Sequence, residues 1–311
     1  METNQNHIAR CVLMIEPVAF GFNPETAVNN YFQQPTDAEP AAVQQLAHAE
    51  YTRMVETLRA KGIDVISIRD TEQPLTPDSI FPNNWISFDA EGQVVLYPMY
   101  ANNRRSERRL DILDIIEKKG HQLNNVVDFS FGEDENRFLE GTGSMVFDHQ
   151  HKIAYAALSE RTDKSVFLQY CETFGFEPVA FTAYQTVANE RKPVYHTNVM
   201  LCVADTFALI CAESIDNEQE RSEVLASLRR THKIVVEISE SQMHAFAGNM
   251  LQLANARGER FLVMSQTAFD ALTADQLTTL SGNSEIIVCP ISTIEQVGGG
   301  SVRCMMAEVF C

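Results

Sequence analysis

The sequence contains no uninterrupted apolar run approaching the roughly 18 residues that would suggest a membrane span. Its opening stretch, METNQNHIAR, lacks the apolar centre of a secretory signal. A soluble, cytoplasmic chain with no membrane partner is expected. Paired cysteine spacing is missing too: the seven cysteines form an odd set with no CxxC. That pattern favours reduced thiols over a disulfide framework or a zinc site. Basic charge is scarce, with 24 Lys plus Arg against 42 Asp plus Glu and a net charge of −18. Such a chain repels phosphate backbones, which excludes nucleic acid as a partner. No phosphate loop of the GxxxxGK type occurs. The length of 311 residues would suit two domains, yet no Pro/Gly/Ser-rich linker divides it.

What the sequence does contain is a repeat. Five helix-like segments, 41–61, 105–119, 161–174, 217–231 and 268–280, each end near a turn and lead into a short apolar strand. Those strands read DVISI, LNNVVDF, PVAF, IVVEI and EIIVC. Between one such strand and the next helix lie two apolar runs around a turn, as in FPNNWISFDAEGQVVLY, GTGSMVFDHQHKIAYAAL, HTNVMLCVADTFALI and GNMLQLANARGERFLVM. Their β-branched and aromatic content argues for hairpins. RCMMAEVF near the end and CVLMIEP near the start complete a fifth unit. The order strand, strand, helix, strand, repeated about five times, predicts an α/β ring closed by its two ends, with residues 1–311 as a single domain.

Polar residues leading into equivalent strands would converge on the centre of such a ring. They are Asn83, Asn84, Glu140, His196, Asn198 and Cys304. Cys304 follows three glycines, which allow backbone to approach a ligand closely. Its thiol is a candidate nucleophile and His196 the best-placed proton acceptor. Taken singly, each has a plainer alternative: a small buried hydrophobe for the cysteine, a satisfied core residue for the histidine.

Together, FPNNW, LEGTGS, YHTNVM and GGGSVRCM, in that order and across nearly the whole chain, resemble the pentein superfamily of guanidino-modifying enzymes. It includes arginine deiminases, dimethylarginine dimethylaminohydrolases and amidinotransferases. The resemblance implies a five-bladed α/β propeller. It also implies Cys304 as nucleophile, His196 as general acid and base, Glu140 as the acidic member of the triad, and no metal or cofactor. The substrate class it implies is a small amino acid.

One departure from the family pattern bears on the substrate. Deiminases and dimethylarginine hydrolases typically carry Asp at the position matching Asn84 and, in deiminases, Asn198; the position of Asn83 often holds an acid. Those carboxylates clamp a guanidinium. Neutral amides suit a neutral ureido group, which has both a carbonyl acceptor and amide donors. The expectation is therefore hydrolysis of citrulline to ornithine, ammonia and carbon dioxide, as in the citrulline-utilisation hydrolases that the chain resembles in FPNNW and the Arg-rich segment after it. Arginine deiminase or methylarginine hydrolase activity is the alternative, and a non-catalytic binding protein on the same fold is another.

The resemblance also matches Arg104 or Arg105, and Arg161, to arginines that hold a substrate carboxylate. For most of the cluster Arg105, Arg108 and Arg109 an exposed helix face is the preferred reading, which leaves Arg161 the stronger carboxylate candidate. His149 and His151 fall in a hairpin turn without a third ligand, Asn249 either lines the centre or caps a turn, and Trp85 reads as core. Assembly into a homo-oligomer is left open.

Overall fold

A computed structural model describes residues 7–282 and 284–310. The chain is a mixed α/β protein built largely from small sheets. Five of them have three strands with one shared pattern: a first strand antiparallel to a second, which runs parallel to a third. Their members are Ile86–Phe88, Gln93–Leu96 and Asn125–Asp128; then Val146–Asp148, Ile153–Leu158 and Glu177–Thr182. Next come Leu201–Val203, Phe207–Ile210 and Ile234–Glu237, followed by Leu251–Ala254, Arg260–Ser265 and Glu285–Cys289. The remaining sheet joins distant parts of the chain, with Cys11 opposite Val309 on one side and Asp64 on the other.

A parallel pair needs a crossover long enough to return to the starting edge, and a helix supplies it. Pro40–Ala60, Asp111–Lys118, Lys164–Phe174 and Glu218–Arg230 serve four sheets. The fifth crossover is a broken pair, Gln266–Ala271 and Ala274–Ser281.

Local chemistry explains where the boundaries differ from expectation. The third helix starts at Lys164 rather than Arg161 because the Asp163 carboxylate accepts from the Ser165 and Val166 amides. The expected continuous helix over 268–280 is interrupted because Thr273 and Gln276 form a capping box that starts a new one. Residues 105–110 are not α-helical: Asn102–Glu107 forms a 3₁₀ turn, and the helix begins at Asp111. An additional hairpin, Tyr184–Val187 with Glu190–Pro193, lies outside the repeat.

Middle strands carry the core. Ile153–Ala157 and Phe207–Ile210 are buried throughout, whereas the third strand Asn125–Asp128 is mostly exposed. Each buried aliphatic side chain in such a strand contributes about 1.5–3 kcal/mol relative to exposure. Among the described residues no helix is long and apolar enough to cross a membrane.

Candidate active site

Every first strand is approached through a tight turn. Pro82–Asn84 precedes Ile86, Gly141–Ser144 precedes Val146, and Thr197–Val199 precedes Leu201. The Asn249 amide bonds back to the Phe246 carbonyl before Leu251, and the Cys304 amide to the Ser301 carbonyl before Ala307. Side chains on or beside these turns are the polar residues that meet. Gly143 makes the meeting possible: a Cβ there would lie 2.4 Å from Asn84 Nδ2 and 2.8 Å from the His196 ring. Gly299 ends the helix Ser292–Gly298 with φ +65°, a conformation few residues other than glycine adopt, and turns the chain toward Cys304.

Glu140 and His196 form one unit. His196 Nε2 lies 2.7 Å from Glu140 Oε2, Arg161 Nη1 is 3.5 Å from the same oxygen, and the Tyr100 amide donates to Oε1 at 2.9 Å. Burial pushes the Glu140 carboxyl up, but Arg161 and His196 outweigh it and hold it well below the usual carboxylate range. Burial drives His196 down to about 4 against the pull of Glu140, so the imidazole is neutral at rest. An ionised carboxylate can only accept, so Nε2 carries the proton and Nδ1 is the open basic nitrogen.

Cys304 lies across the same small cavity, which is lined by Asp78, Asn84, Arg104, Arg161, His196 and Gly298–Gly300. Its sulfur receives two side-chain amide donors, Asn198 Nδ2 at 3.5 Å and Asn249 Nδ2 at 3.4 Å. Asn83 is buried but is not among the residues lining the cavity, and its Nδ2 lies 3.2 Å from Thr142 Oγ1.

The two arginines expected to hold a substrate carboxylate line the cavity with their guanidinium groups already engaged. Arg104 Nε and Nη2 grip the Glu107 carboxylate, Nη2 also reaches the Phe81 carbonyl, and Nη1 donates to Asn84 Oδ1 at 2.7 Å. Arg161 donates from Nε to Asn29 Oδ1 and from Nη2 to the Thr26 carbonyl. Arg105 lies outside, with Nε bonded to the Met99 carbonyl.

Residues 23–33, which carried no sequence-based expectation, roof the cavity. Thr26 and Asn30 are among its lining residues, and Asn30 Nδ2 donates to the Gly299 carbonyl at 3.2 Å. Asp78 was also missed. Asn23 and Thr26 both donate to its Oδ2, while Oδ1 is buried with no partner among the described residues. Burial raises Asp78, and it raises Glu107 to about 8 despite Arg104: two buried carboxyls share one guanidinium. Asn84 Nδ2, Asn198 Oδ1 and Asn83 Oδ1 are likewise buried without partners.

Of metal-type side chains, Cys11, Asp64 and His121 lie close together, away from this cavity. His151 pairs with Asp148.

The arrangement brings a thiol, a neutral imidazole backed by a carboxylate, and unsatisfied amide groups into one place, which suits covalent attack on an electron-poor carbon. Comparison with known proteins agrees in fold. The family model described as N,N dimethylarginine dimethylhydrolase, eukaryotic, matches residues 16–311. No curated protein matches the sequence. Among solved structures, apo ArgZ, an arginine dihydrolase from the ornithine–ammonia cycle in cyanobacteria, is similar with TM-score 0.70 and 17% identity. The match covers 96% of this chain and 40% of that one. The substrate-bound N-terminal domain of ArgZ, with a Cys-to-Ser substitution, is similar over 97% of this chain and 99% of that domain (TM-score 0.68, 16% identity). A dimethylarginine dimethylaminohydrolase adduct with 4-chloro-2-hydroxymethylpyridine is similar over 97% of this chain and 100% of that one (TM-score 0.63, 15% identity).

Proposed function

We propose, from the premise that this chain belongs to the N,N dimethylarginine dimethylhydrolase family of the pentein superfamily, a family of carbon–nitrogen hydrolases, that it hydrolyses the ureido group of citrulline. The observation that carries this reading is the polarity of Asn84. A guanidinium can only donate, so Arg104 Nη1 holds the Asn84 oxygen, and Nδ2 is left as a buried donor without a partner beside the cavity. A ureido carbonyl supplies the missing acceptor. An arginine guanidinium, all donors, would place N–H against N–H and leave Asn84 unsatisfied, at a cost of about 1–3 kcal/mol.

In the proposed reaction, Cys304 Sγ attacks the ureido carbon as His196 Nδ1 takes the thiol proton. Glu140 stabilises the imidazolium, which passes that proton to the departing nitrogen and releases ammonia. Water activated by the neutral imidazole then opens the thiocarbamate on sulfur. The carbamate released loses carbon dioxide to give ornithine, so citrulline and one water become ornithine, ammonia and carbon dioxide. Asp78 Oδ1 is suited to the substrate's α-ammonium, which supplies the positive charge that Asp78 and Glu107 together lack. Arg104 and Arg161 set a positive potential for the carboxylate without abandoning their internal partners. The five three-stranded sheets are read as blades of a five-bladed propeller, and residues 1–311 as one catalytic domain.

The test is to incubate the purified protein separately with citrulline, arginine, agmatine and dimethylarginine and measure ammonia and amine products. Citrulline should turn over fastest, and Cys304→Ser should reduce turnover by at least about 10³-fold while the protein stays folded. Arginine or dimethylarginine turning over faster than citrulline would reject the substrate, and undiminished turnover in the variant would reject the nucleophile.

A further inference from the structure

We infer that Asn249 is a catalytic residue: its side-chain amide, with that of Asn198, forms a two-donor clamp that stabilises the Cys304 sulfur as thiolate. The inference rests on Cys304 being the nucleophile and is independent of which substrate it attacks.

A cysteine thiolate buried in a protein needs compensation for lost hydration, and a neighbouring imidazolium is the usual source. Here the resting imidazole is neutral and its Nε2–H is committed to Glu140. Among the described residues the hydrogen-bond donors at the sulfur are two amides, Asn249 Nδ2 at 3.4 Å and Asn198 Nδ2 at 3.5 Å, while Asp78, Arg104, Arg161, Tyr195 and His196 line the cavity it faces and Cys304 itself is only 3% exposed.

The orientation of the Asn249 amide is imposed by its surroundings. Its oxygen accepts from the Arg303 backbone N–H at 3.0 Å, and its nitrogen donates to the Asn198 carbonyl at 3.0 Å. A backbone N–H cannot accept and a carbonyl cannot donate, so the amide cannot flip, and its second N–H is aimed at sulfur. Asn249 is fully buried, which fixes that donor before any substrate arrives. A preorganised donor of this kind favours the charged state of the atom it faces and costs no rearrangement during attack. One anchor of Asn249 is the residue next to Cys304 and the other is the backbone of Asn198. It therefore ties the turn bearing the sulfur to the turn bearing the second donor.

The inference predicts the pH dependence of Cys304 alkylation by iodoacetamide, followed at the peptide containing residue 304. Asn249→Asp keeps the acceptor for Arg303 and removes both donors; it should move the alkylation midpoint up by at least one pH unit, about tenfold less thiolate at a fixed pH below it. Asn249→Ala removes the donor without adding charge and should shift the midpoint in the same direction by a smaller amount. A purely structural role would change the plateau rate and leave the midpoint where it was, and an unmoved midpoint in either folded variant overturns the clamp. Should neither variant fold, wild type decides: the Asn249 side-chain amide protons should titrate in NMR spectra with the midpoint of Cys304 alkylation, and no such titration overturns it. Alkylation requires no substrate, so a failed citrulline assay leaves this result standing, and the converse holds.

Discussion

The first strands of the five sheets have two ends, and the ends differ in how completely their buried polar groups are partnered. At the leading ends, beside Cys304, paired charges such as Arg104–Glu107 and His196–Glu140 stand next to buried polar atoms that have no partner among the described residues: Asp78 Oδ1, Asn83 Oδ1, Asn84 Nδ2 and Asn198 Oδ1. At the trailing ends, buried charges are paired. Lys233 Nζ lies 3.3 Å from Asp148 Oδ2 and bonds the Asp205 carbonyl, while Arg303 bonds Glu308 Oε2 and the Met306 carbonyl. A cluster whose members satisfy one another holds a protein together. Unsatisfied atoms cost stability and persist where a ligand completes them.

The sharpest way to break the comparison is at the trailing end. Lys233→Met takes away the lysine partner of Asp148 and leaves that carboxylate with His151 alone; the lysine and aspartate side chains are only 1% and 2% exposed. It should cost about 3–5 kcal/mol of stability, measured by urea unfolding, while kcat/KM per folded molecule stays near wild type. A large fall in kcat/KM with unchanged stability would show that the two ends do not divide the labour in this way.

The converse effect belongs to Gly143→Ala. The added methyl must displace Asn84 Nδ2 or the His196 ring, and misplacement of that size should lower kcat/KM about 10- to 100-fold. Thermal unfolding should change much less than in the lysine variant. Unimpaired turnover would mean that the Asn84–His196 approach does not matter to the reaction.

A subtler comparison uses proton uptake. Glu107 is raised from its unfolded value of 4.5 to about 8, so its contribution to stability is complete below pH 4.5 and is lost as pH rises through 8. Glu107→Gln mimics the protonated form and keeps an acceptor for Arg104. It should remove up to one proton's worth of slope, about 1.4 kcal/mol per pH unit, from the stability profile between pH 6 and 8. Identical profiles for variant and wild type would show that Glu107 is ionised throughout.

Much of this architecture is legible in the sequence because the repeat depends on local signals. Asp163 and Asn217 cap helices through their own side chains, and Gly175 closes one with φ +67°. In strand DVISI the three apolar residues are buried and the two polar ones are not. The cavity was legible to the extent that polar residues lie two or three positions ahead of strands, as with Asn84, Asn198 and Cys304. What could not be read depends on contacts between distant stretches. NNRRSERR offers Arg104 and Arg105 alike, and what draws only Arg104 inside is Glu107 together with the backbone carbonyls of Asp78 and Phe81, more than twenty residues away. The roof formed by Asn23, Thr26, Asn29 and Asn30 has no apolar periodicity, because these side chains are buried for their hydrogen bonds.

The pairing of Cys11 with Val309 has a consequence for assembly. Residues nearly three hundred positions apart must find one another before that sheet exists, and the entropy of closing so long a loop is recovered only when the last strand docks. Cys304 lies three residues before that strand. Chemical competence should therefore appear late on the folding pathway, and a chain stopped short of residue 307 should accumulate as an inert, partly structured species.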